Sequence, residues 1–373
     1  MRLLLPSLIT VAYIFLSLVL PLHTHLWVKV LLGLVMLAIS LKYLIYETFG
    51  GSFFQPDLPL DVLVPSEALY GALICLFFLA ILKDITGAVL WLSRRFDSGW
   101  FLPGSPASRA VVLSLAALLC GVWGSWQAIR VPDVRTLEVR IPALPDELEG
   151  FSLIQLSDIH IGSMLKKAWL EQVVEKTNAL EADAIAITGD VIDGLPHALA
   201  EEVSPLRNLK ARYGVFLVPG NHEYYYDAKG WIDTFRAFGL NVLENEHRVL
   251  PGGLVLGGIT DRTAHRLGGK GPDAVQAFAD APAGPRILLA HQPTSFKDAS
   301  AAGIDLQLSG HTHGGLLFFL APIIARFNDG YVNGLYHTDN GLLYVHPGTG
   351  LWSGFSCRIG IPSEITHIIL RRA

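Results

Sequence analysis

Nine residues at five places in the chain are of the types that hold metal ions: Asp158 and His160, Asp190 and Asp193, Asn221 and His222, His291, and His311 with His313. Each group stands directly after a short apolar run: FSLIQLS (151–157), AIAIT (184–188), GVFLVPG (214–220), RILLA (286–290) and DLQLS (305–309). Singly, a histidine after a strand is an ordinary hydrogen-bonded residue, and an aspartate before a turn is an ordinary cap. Five such coincidences point instead to a metal centre, because chance would scatter these residue types over helices and loops. Imidazole nitrogens mixed with carboxylate and amide oxygens, with no thiolate, suit Mn, Fe, Co or Zn rather than a structural zinc–cysteine site. The donors exceed what one ion takes from a protein while keeping a position for substrate, so two ions sharing one carboxylate fit better.

The elements that must position these residues are legible too. The apolar runs are short, β-branched or leucine-rich, and read as strands buried on both faces. Between them KKAWLEQVVEKTNALEA (166–182) puts Leu170, Val173, Val174 and Leu180 near helical spacing, and AKGWIDTFRAFG (228–239) ends on Gly239, suited to a C-cap. Strand and helix alternate, the pattern of an α/β fold, whose ligands bind at the carboxyl ends of the strands. Gly189, Gly220 and Gly310 each precede a site residue, where a Cβ would crowd a tight turn.

SDIHIG, GDVIDG, PGNHEY, AHQP and SGHTHGG, in this order, resemble the motif blocks of the calcineurin-like metallophosphoesterase superfamily, over about residues 150 to 370. YGVFLVPGNHEYYYD, ILLAHQP and IDLQLSGHTHGG resemble its membrane-associated bacterial branch. The resemblance implies Asp158, His160 and His313 on a first ion, Asn221, His291 and His311 on a second, and Asp190 bridging both. It implies that His222 stands near the leaving group without binding metal and that Asp193 orients a neighbour. It also implies a fold of two mixed β-sheets sandwiched between helices. Paired divalent ions activate a water and offset phosphate charge, and a tuned histidine suits protonation of the leaving alkoxide. Arg358, in SCRIGIPSEIT, is a candidate phosphate clamp, with a structural salt bridge as the alternative. Tyr224, leading the Tyr224–Tyr225–Tyr226 run after His222, is a candidate for the substrate pocket, with aromatic packing as the alternative. The other histidines, of which His346 in VHPGTG is the one singled out, read as surface or structural.

The 373 residues allow two domains, and 51% hydrophobic content with a mean hydropathy of +0.42 is too apolar for a purely soluble chain. Residues 1–130 form a helical membrane region with four expected spans, about 3–22, 26–46, 68–92 and 110–129. Residues 131–150 are a connector and 151–373 the phosphoesterase domain. The first span reads as an uncleaved anchor rather than a signal peptide, since a second follows at once. Arg94, Arg95 and Arg109 flank the third loop, whereas Glu47, Asp57, Asp61 and Glu67 mark the second, so the positive-inside rule places the catalytic domain outside the cytoplasm. Arg2 pulls the other way. Lys42 is expected to snorkel from a span end, and Lys83 and Asp84 to sit at a helix break or pair with each other, which leaves little ground for a transport path.

Residues 1–130 hold 8 Lys+Arg against 6 Asp+Glu, net +2, and the remainder 20 against 27, net −7. An acidic soluble part argues against a nucleic-acid partner. Cys75, Cys120 and Cys357 show no metal spacing. The expected protein is an integral membrane phosphoesterase with two divalent transition-metal ions, acting on a phosphorylated small molecule or lipid of the envelope. A nucleotide phosphodiesterase and a non-catalytic metal-binding sensor are the alternatives; the oligomeric state stays open. Leu316 to Ile324, directly after the glycine pair, is unusually greasy, and in the branch resembled a glutamine commonly stands where Leu316 does. Either this stretch packs against the sheet or it forms an apolar lip that dips into a bilayer and admits a lipid tail.

Overall fold

The computed structural model of the chain describes residues 4–52, 54–94, 99–142, 144–339 and 341–373. Arg2 and Arg95, both used to orient the spans, and residue 3 of the first expected span lie outside them. The chain divides into two compact units, residues 1–127 with 353–357, and residues 128–352 with 358–373.

The first unit is helical: α1 (Leu4–Ile14), prolonged by a π-helical stretch Phe15–Val19, α2 (Leu26–Ser40), α3 (Lys42–Phe49), α4 (Leu60–Ser93) and α5 (Pro106–Ile129). Among the described residues α4 and α5 are long and apolar enough to cross a membrane, and the α2–α3 pair, bent by 59°, raises the number to three. The expected four spans are thus not established, because Leu4–Val19 falls short of the about 20 residues that cross a bilayer core.

Two charged pairs sit among these helices. Lys83 Nζ meets Asp84 Oδ1 at 2.7 Å, as expected, and Tyr13 and Ser17 donate to Asp84 at 3.0 and 2.6 Å. Lys42 does not snorkel. It is buried against Glu67, which lies inside α4 rather than in the preceding loop. Tyr46 Oη donates to Glu67 Oε1 at 2.8 Å, and the backbone N–H of Ser356 donates to Glu67 Oε2 at 3.0 Å. Ser125 Oγ holds the Ser356 carbonyl at 3.0 Å, and Phe355 meets Tyr70 edge to face at 5.8 Å. The segment 353–357 is therefore a part of the helical unit supplied from far along the sequence.

The second unit is α/β. Its strands are β1 (Asp133–Ile141), β2 (Ser152–Leu156), β3 (Ala184–Ile187), β4 (Val215–Leu217), β5 (Asn241–Val242), β6 (Glu246–Val249), β7 (Val255–Gly258), β8 (Arg286–Leu289), β9 (Leu306–Ser309), β10 (Gly334–Thr338), β11 (Gly341–Val345) and β12 (Glu364–Arg372). They form two six-stranded mixed sheets, ordered β1-β12-β2-β3-β4-β5 and β10-β11-β9-β8-β7-β6. Within the stretch expected as a connector, residues 133–141 form β1, parallel to β12. Leu137, Val139 and Ile141 alternate with Glu138 and Arg140, the period of a strand with one face inward.

Helices α6 (Lys167–Asn178), α7 (Pro196–Leu199), α8 (Asn221–Tyr226), α9 (Ala228–Ala237), α10 (Arg262–Arg266), α11 (Ala274–Ala277), α12 (Phe296–Ala299) and α13 (Ala321–Phe327) complete the unit. The strand residues alternate between two cores. Leu153, Ala184, Ala186 and Phe216 join Leu256, Ile287, Leu306 and Leu308 between the sheets. Ile154, Leu156, Ile185, Ile187 and Leu217 turn outward against Leu170, Val173 and Val174 of α6 and Trp231 and Phe235 of α9. Burial on both faces explains why these strands read as continuous apolar runs.

Candidate metal centre

All five groups of site residues stand at the carboxyl ends of β2, β3, β4, β8 and β9. The backbone there is under tension, since Asp158, His160, Asp190, His311 and His313 have φ of 50°, 52°, 53°, 71° and 49°. A non-glycine residue in this region costs about 1–2 kcal/mol, and strain of this kind persists where the fold over-determines it, typically at functional sites. The loops lock to one another. Asp158 N–H donates to Gly189 O at 3.0 Å, His160 N–H to Asp190 O at 3.1 Å and His311 N–H to Asp158 Oδ1 at 3.0 Å. A Cβ on Gly310 would lie 2.0 Å from Ser157 Oγ and 2.2 Å from Asp158 Oδ2, so only glycine lets these loops approach.

The side chains converge in two groups whose ligand atoms lie within 4.8 Å of one another: Asp158, His160 and His313, and Asp190, His291 and His311. In the first, His160 Nε2 and His313 Nε2 are 3.2 Å apart, and His313 Nε2 is 3.4 Å from Asp158 Oδ1. In the second, His291 Nε2 lies 3.1 Å from Asp190 Oδ2, 3.1 Å from Asn221 Oδ1 and 3.3 Å from His311 Nδ1. Asp190 Oδ2 also stands 3.9 Å from His160 Nε2, facing nitrogens of both groups as a shared ligand must.

The outer partners fix which nitrogen faces inward. His291 Nδ1 faces the Thr188 carbonyl at 2.8 Å, an acceptor only, so Nδ1 carries the proton and Nε2 presents its lone pair. His160 Nδ1 likewise donates to Asp193 Oδ1 at 2.9 Å. His160, Asp193 and His222 also cluster, but there Asp193 serves the outward Nδ1 of both rings, an orienting carboxylate rather than a third ion site.

Burial and neighbours set the protonation states. Burial pushes the Asp190 carboxyl up, but His291 and His222 outweigh it and hold Asp190 well below the usual carboxylate range. Burial, with His291 beside it, brings His311 down to about 3. Burial, His160 and Arg358 drive His313 well below the ordinary histidine value. Asp158 is raised by burial. Neutral His311 and His313 and the anionic Asp190 are states that divalent cations select. His291, although burial opposes its charge, is raised well above the ordinary histidine value by Asp190, and a cation would displace that proton and restore the charge of Asp158. Lone-pair nitrogens packed at 3.2–3.3 Å around two carboxylates fit metal ions well.

His222 stands apart from both groups. Its Nδ1 donates to Asp193 Oδ1 at 2.5 Å, and its Nε2 is 3.9 Å from Asp190 Oδ2. Burial opposes its charge, yet Asp190 and Asp193 outweigh burial and raise it to about 9.

The two weaker candidates are placed differently from their expected roles. Tyr224 lines a cleft with Ala228, Ile232 and Thr260, and it is Tyr225, 54% exposed, whose ring lies 5.4 Å from that of His222. Residues three apart share a helix face and residues two apart do not, so Tyr224 turns away. Arg358 is 1% exposed and sits behind His313, donating to Gly350 O at 2.8 Å and His313 O at 3.3 Å, with no carboxylate partner among the described residues.

Sequence reasoning missed Glu223. Fully buried, it caps α8 and accepts from Gly220 N (2.7 Å), Val191 N (2.7 Å) and Asp190 N (3.0 Å), tying the β3 and β4 loops together. A glutamate three residues after Gly220, the N3 position of a capping box, was its signal. Trp352, also missed, sets its ring edgewise at 4.5 Å from His313 and 5.8 Å from His160.

Residues 151–315 match the Calcineurin-like phosphoesterase family. The chain is 34% identical over 313 residues to the transmembrane protein with metallophosphoesterase domain of Danio rerio, covering 80% of this chain and 71% of that one. It is 35% identical over 258 residues to an uncharacterized metallophosphoesterase of Helicobacter pylori, covering 68% of each. A third relative, an uncharacterized metallophosphoesterase of Campylobacter jejuni, is 31% identical over 309 residues, covering 81% and 80%. With its five motif blocks gathered at the carboxyl ends of strands from both sheets and relatives matched over most of their length, the chain belongs to the calcineurin-like metallophosphoesterase family.

Proposed function

We propose that the protein is a membrane-anchored, dinuclear metal-dependent hydrolase of phosphate ester or pyrophosphate bonds, with a lipid-linked or envelope component as substrate. The observation that carries this reading is Asp190 Oδ2 facing nitrogens of two separate Asp/His groups, a geometry suited to two ions sharing one ligand. Asp158, His160 and His313 would hold one ion, Asn221, His291 and His311 the other. Ions so placed, Mn, Fe, Co or Zn by donor type, supply an activated water and offset phosphate charge.

The chain's own residues do the rest. Asp193 orients His160 and His222 together, and His222, held charged by Asp193 and Asp190, presents Nε2 where a leaving alkoxide needs a proton. Trp352 stands beside His313 and Tyr225 beside His222, rings against which a substrate can rest. The charge asymmetry of the loops supports a catalytic unit outside the cytoplasm; a reporter fused to the C-terminus decides this, and a cytoplasmic reporter signal overturns it. Hydrolysis of a chromogenic phosphodiester, dependent on added divalent metal, tests the chemistry. Undiminished turnover by Asp190→Asn would sink the two-metal reading.

A nucleotide substrate is the second reading, favoured by one feature. A cavity of about 590 Å³ beside α10 is lined by Arg262, His265, Arg266 and Lys270 against Asp273 and Asp298, a net basic surface. Faster turnover of a nucleotide diester than of a lipid phosphate, reduced by Arg266→Ala, would favour it.

A further inference from the structure

The greasy stretch after the metal-site histidines is only half core. Leu317 is fully buried and pairs with Ile359, and Phe318 N–H donates to Ile359 O at 2.9 Å. Beyond it the chain turns outward: Phe318 is 59% exposed, Ile323 53% and Phe327 77%, the latter two on α13. Arg326, in the last turn of α13, is exposed and has no ion-pair partner among the described residues. Ile323 and Phe327, four apart, share one face of α13, and large apolar side chains left in water are costly and mark an interaction surface.

The backbone that presents this face is strained. Leu316 has φ 65° and ψ −60°, and Leu317 N–H reaches back to Gly315 O at 2.7 Å, a γ-turn of the rare kind centred on a leucine. The turn begins at Gly315, two residues after His313, so the face and the metal site share one loop. Leu316 N–H to His313 O at 3.1 Å and Ile359 N–H to Leu316 O at 3.1 Å hold it there.

Two partners could cover such a face, a second copy of the chain or a bilayer. Three side chains offer a few hundred Å², well short of the roughly 800 Å² per partner of a stable protein interface. A bilayer asks for less, because the apolar helices of the same chain hold it within reach and raise its effective concentration. Phenylalanine and isoleucine flanking one arginine is also the composition of a short interfacial anchor, rings among the acyl chains and guanidinium at the headgroup phosphates.

We infer that Phe318, Ile323 and Phe327 dock onto the bilayer surface and hold the His311–His313 loop against it, so that the site takes the phosphate of a lipid still seated in the membrane. This rests on the hydrolase reading for its substrate but not for its docking.

The test uses the full chain in phospholipid nanodiscs, with a nitroxide on Phe327→Cys in a Cys120→Ala background and a control nitroxide on Lys229→Cys. Dissolved oxygen should relax the label at 327 more than a water-soluble nickel chelate does, and the order should reverse at 229. A label at 327 relaxed mainly by the nickel chelate overturns the proposal, and spin–spin broadening there assigns the face to a second copy and overturns it too. With Phe318→Ser/Phe327→Ser, turnover of a lipid-anchored phosphodiester in the same bilayer should fall about tenfold while a soluble chromogenic ester changes less than about twofold. Equal loss on both substrates overturns lipid presentation. Wild-type protein that hydrolyses neither ester defeats the hydrolase reading, and the label at 327 still decides the docking.

Discussion

The buried carboxylate of Glu223 accepts the backbone N–H of Asp190 at 3.0 Å, so the backbone of the residue that faces both Asp/His groups is held by a carboxylate belonging to neither. Gly220 and Val191 donate to the same carboxylate. Glu223→Gln keeps one acceptor oxygen but puts an amide NH₂ against at least one of these N–H donors, which it leaves unsatisfied. The expected cost is about 2–4 kcal/mol in denaturant unfolding, with metal affinity down about 10- to 100-fold. Metal retained after dialysis, measured by elemental analysis, checks the second part.

The His222–Asp193 contact predicts a dependence on the leaving group. Removing a proton donor matters little when the departing oxygen is stable as an anion. His222→Ala should spare an activated nitrophenyl ester and slow an alkyl ester by about 10²–10⁴-fold. Asp193→Asn should follow the same pattern more mildly, and the ratio of the two kcat values for each variant is the measurement.

Gly310 predicts a steric failure. A methyl group there meets Ser157 Oγ and Asp158 Oδ2. Gly310→Ala should therefore lose metal from the Asp158 group before it loses the fold, read as a fall in bound metal at an unchanged circular dichroism spectrum.

His346 predicts a pH dependence outside the site. Its Nδ1 accepts Gly348 N–H at 2.9 Å, it is fully buried, and burial brings it down to about 4. A histidine that stays neutral when folded but protonates when unfolded loses stability as pH falls from 6.5 toward 4. The difference amounts to about 3 kcal/mol by pH 4. His346→Asn keeps an acceptor and should flatten that part of the stability curve; urea unfolding across pH 4 to 7 compares the two proteins.

The Lys42–Glu67 pair predicts the stability of the helical unit. Glu67→Gln leaves a buried ammonium without its counter-charge, at a cost of about 3 kcal/mol or more, seen as a lower unfolding temperature of the full chain in detergent.

The chemistry was legible because the site uses local grammar. Asp158, Asn221 and His291 each follow an apolar run at a strand end, and the alternation of those runs with helical stretches reads as α/β, whereas the sandwich of two sheets is what the family resemblance implies. What escaped depends on facts that local pattern does not carry. Tyr225 rather than Tyr224 faces His222 because the helix phase at Asn221 decides it, and one residue of phase is 100°. Arg358 disappears behind His313 because distant chain closes over it. β1 hid within a proline-containing connector because its partner, β12, is over two hundred residues away. Glu67 looked like a loop carboxylate until Lys42 and Ser356 came to meet it.

The place of residues 353–357 changes what counts as a module. These residues come after eleven of the unit's twelve strands, yet their hydrogen bonds are made with Glu67 and Ser125 of the helical unit. A cut at residue 128 would therefore part residues 353–357 from Glu67 and Ser125, the partners of their backbone. The helical unit is thus complete only once the chain has run almost to its last strand.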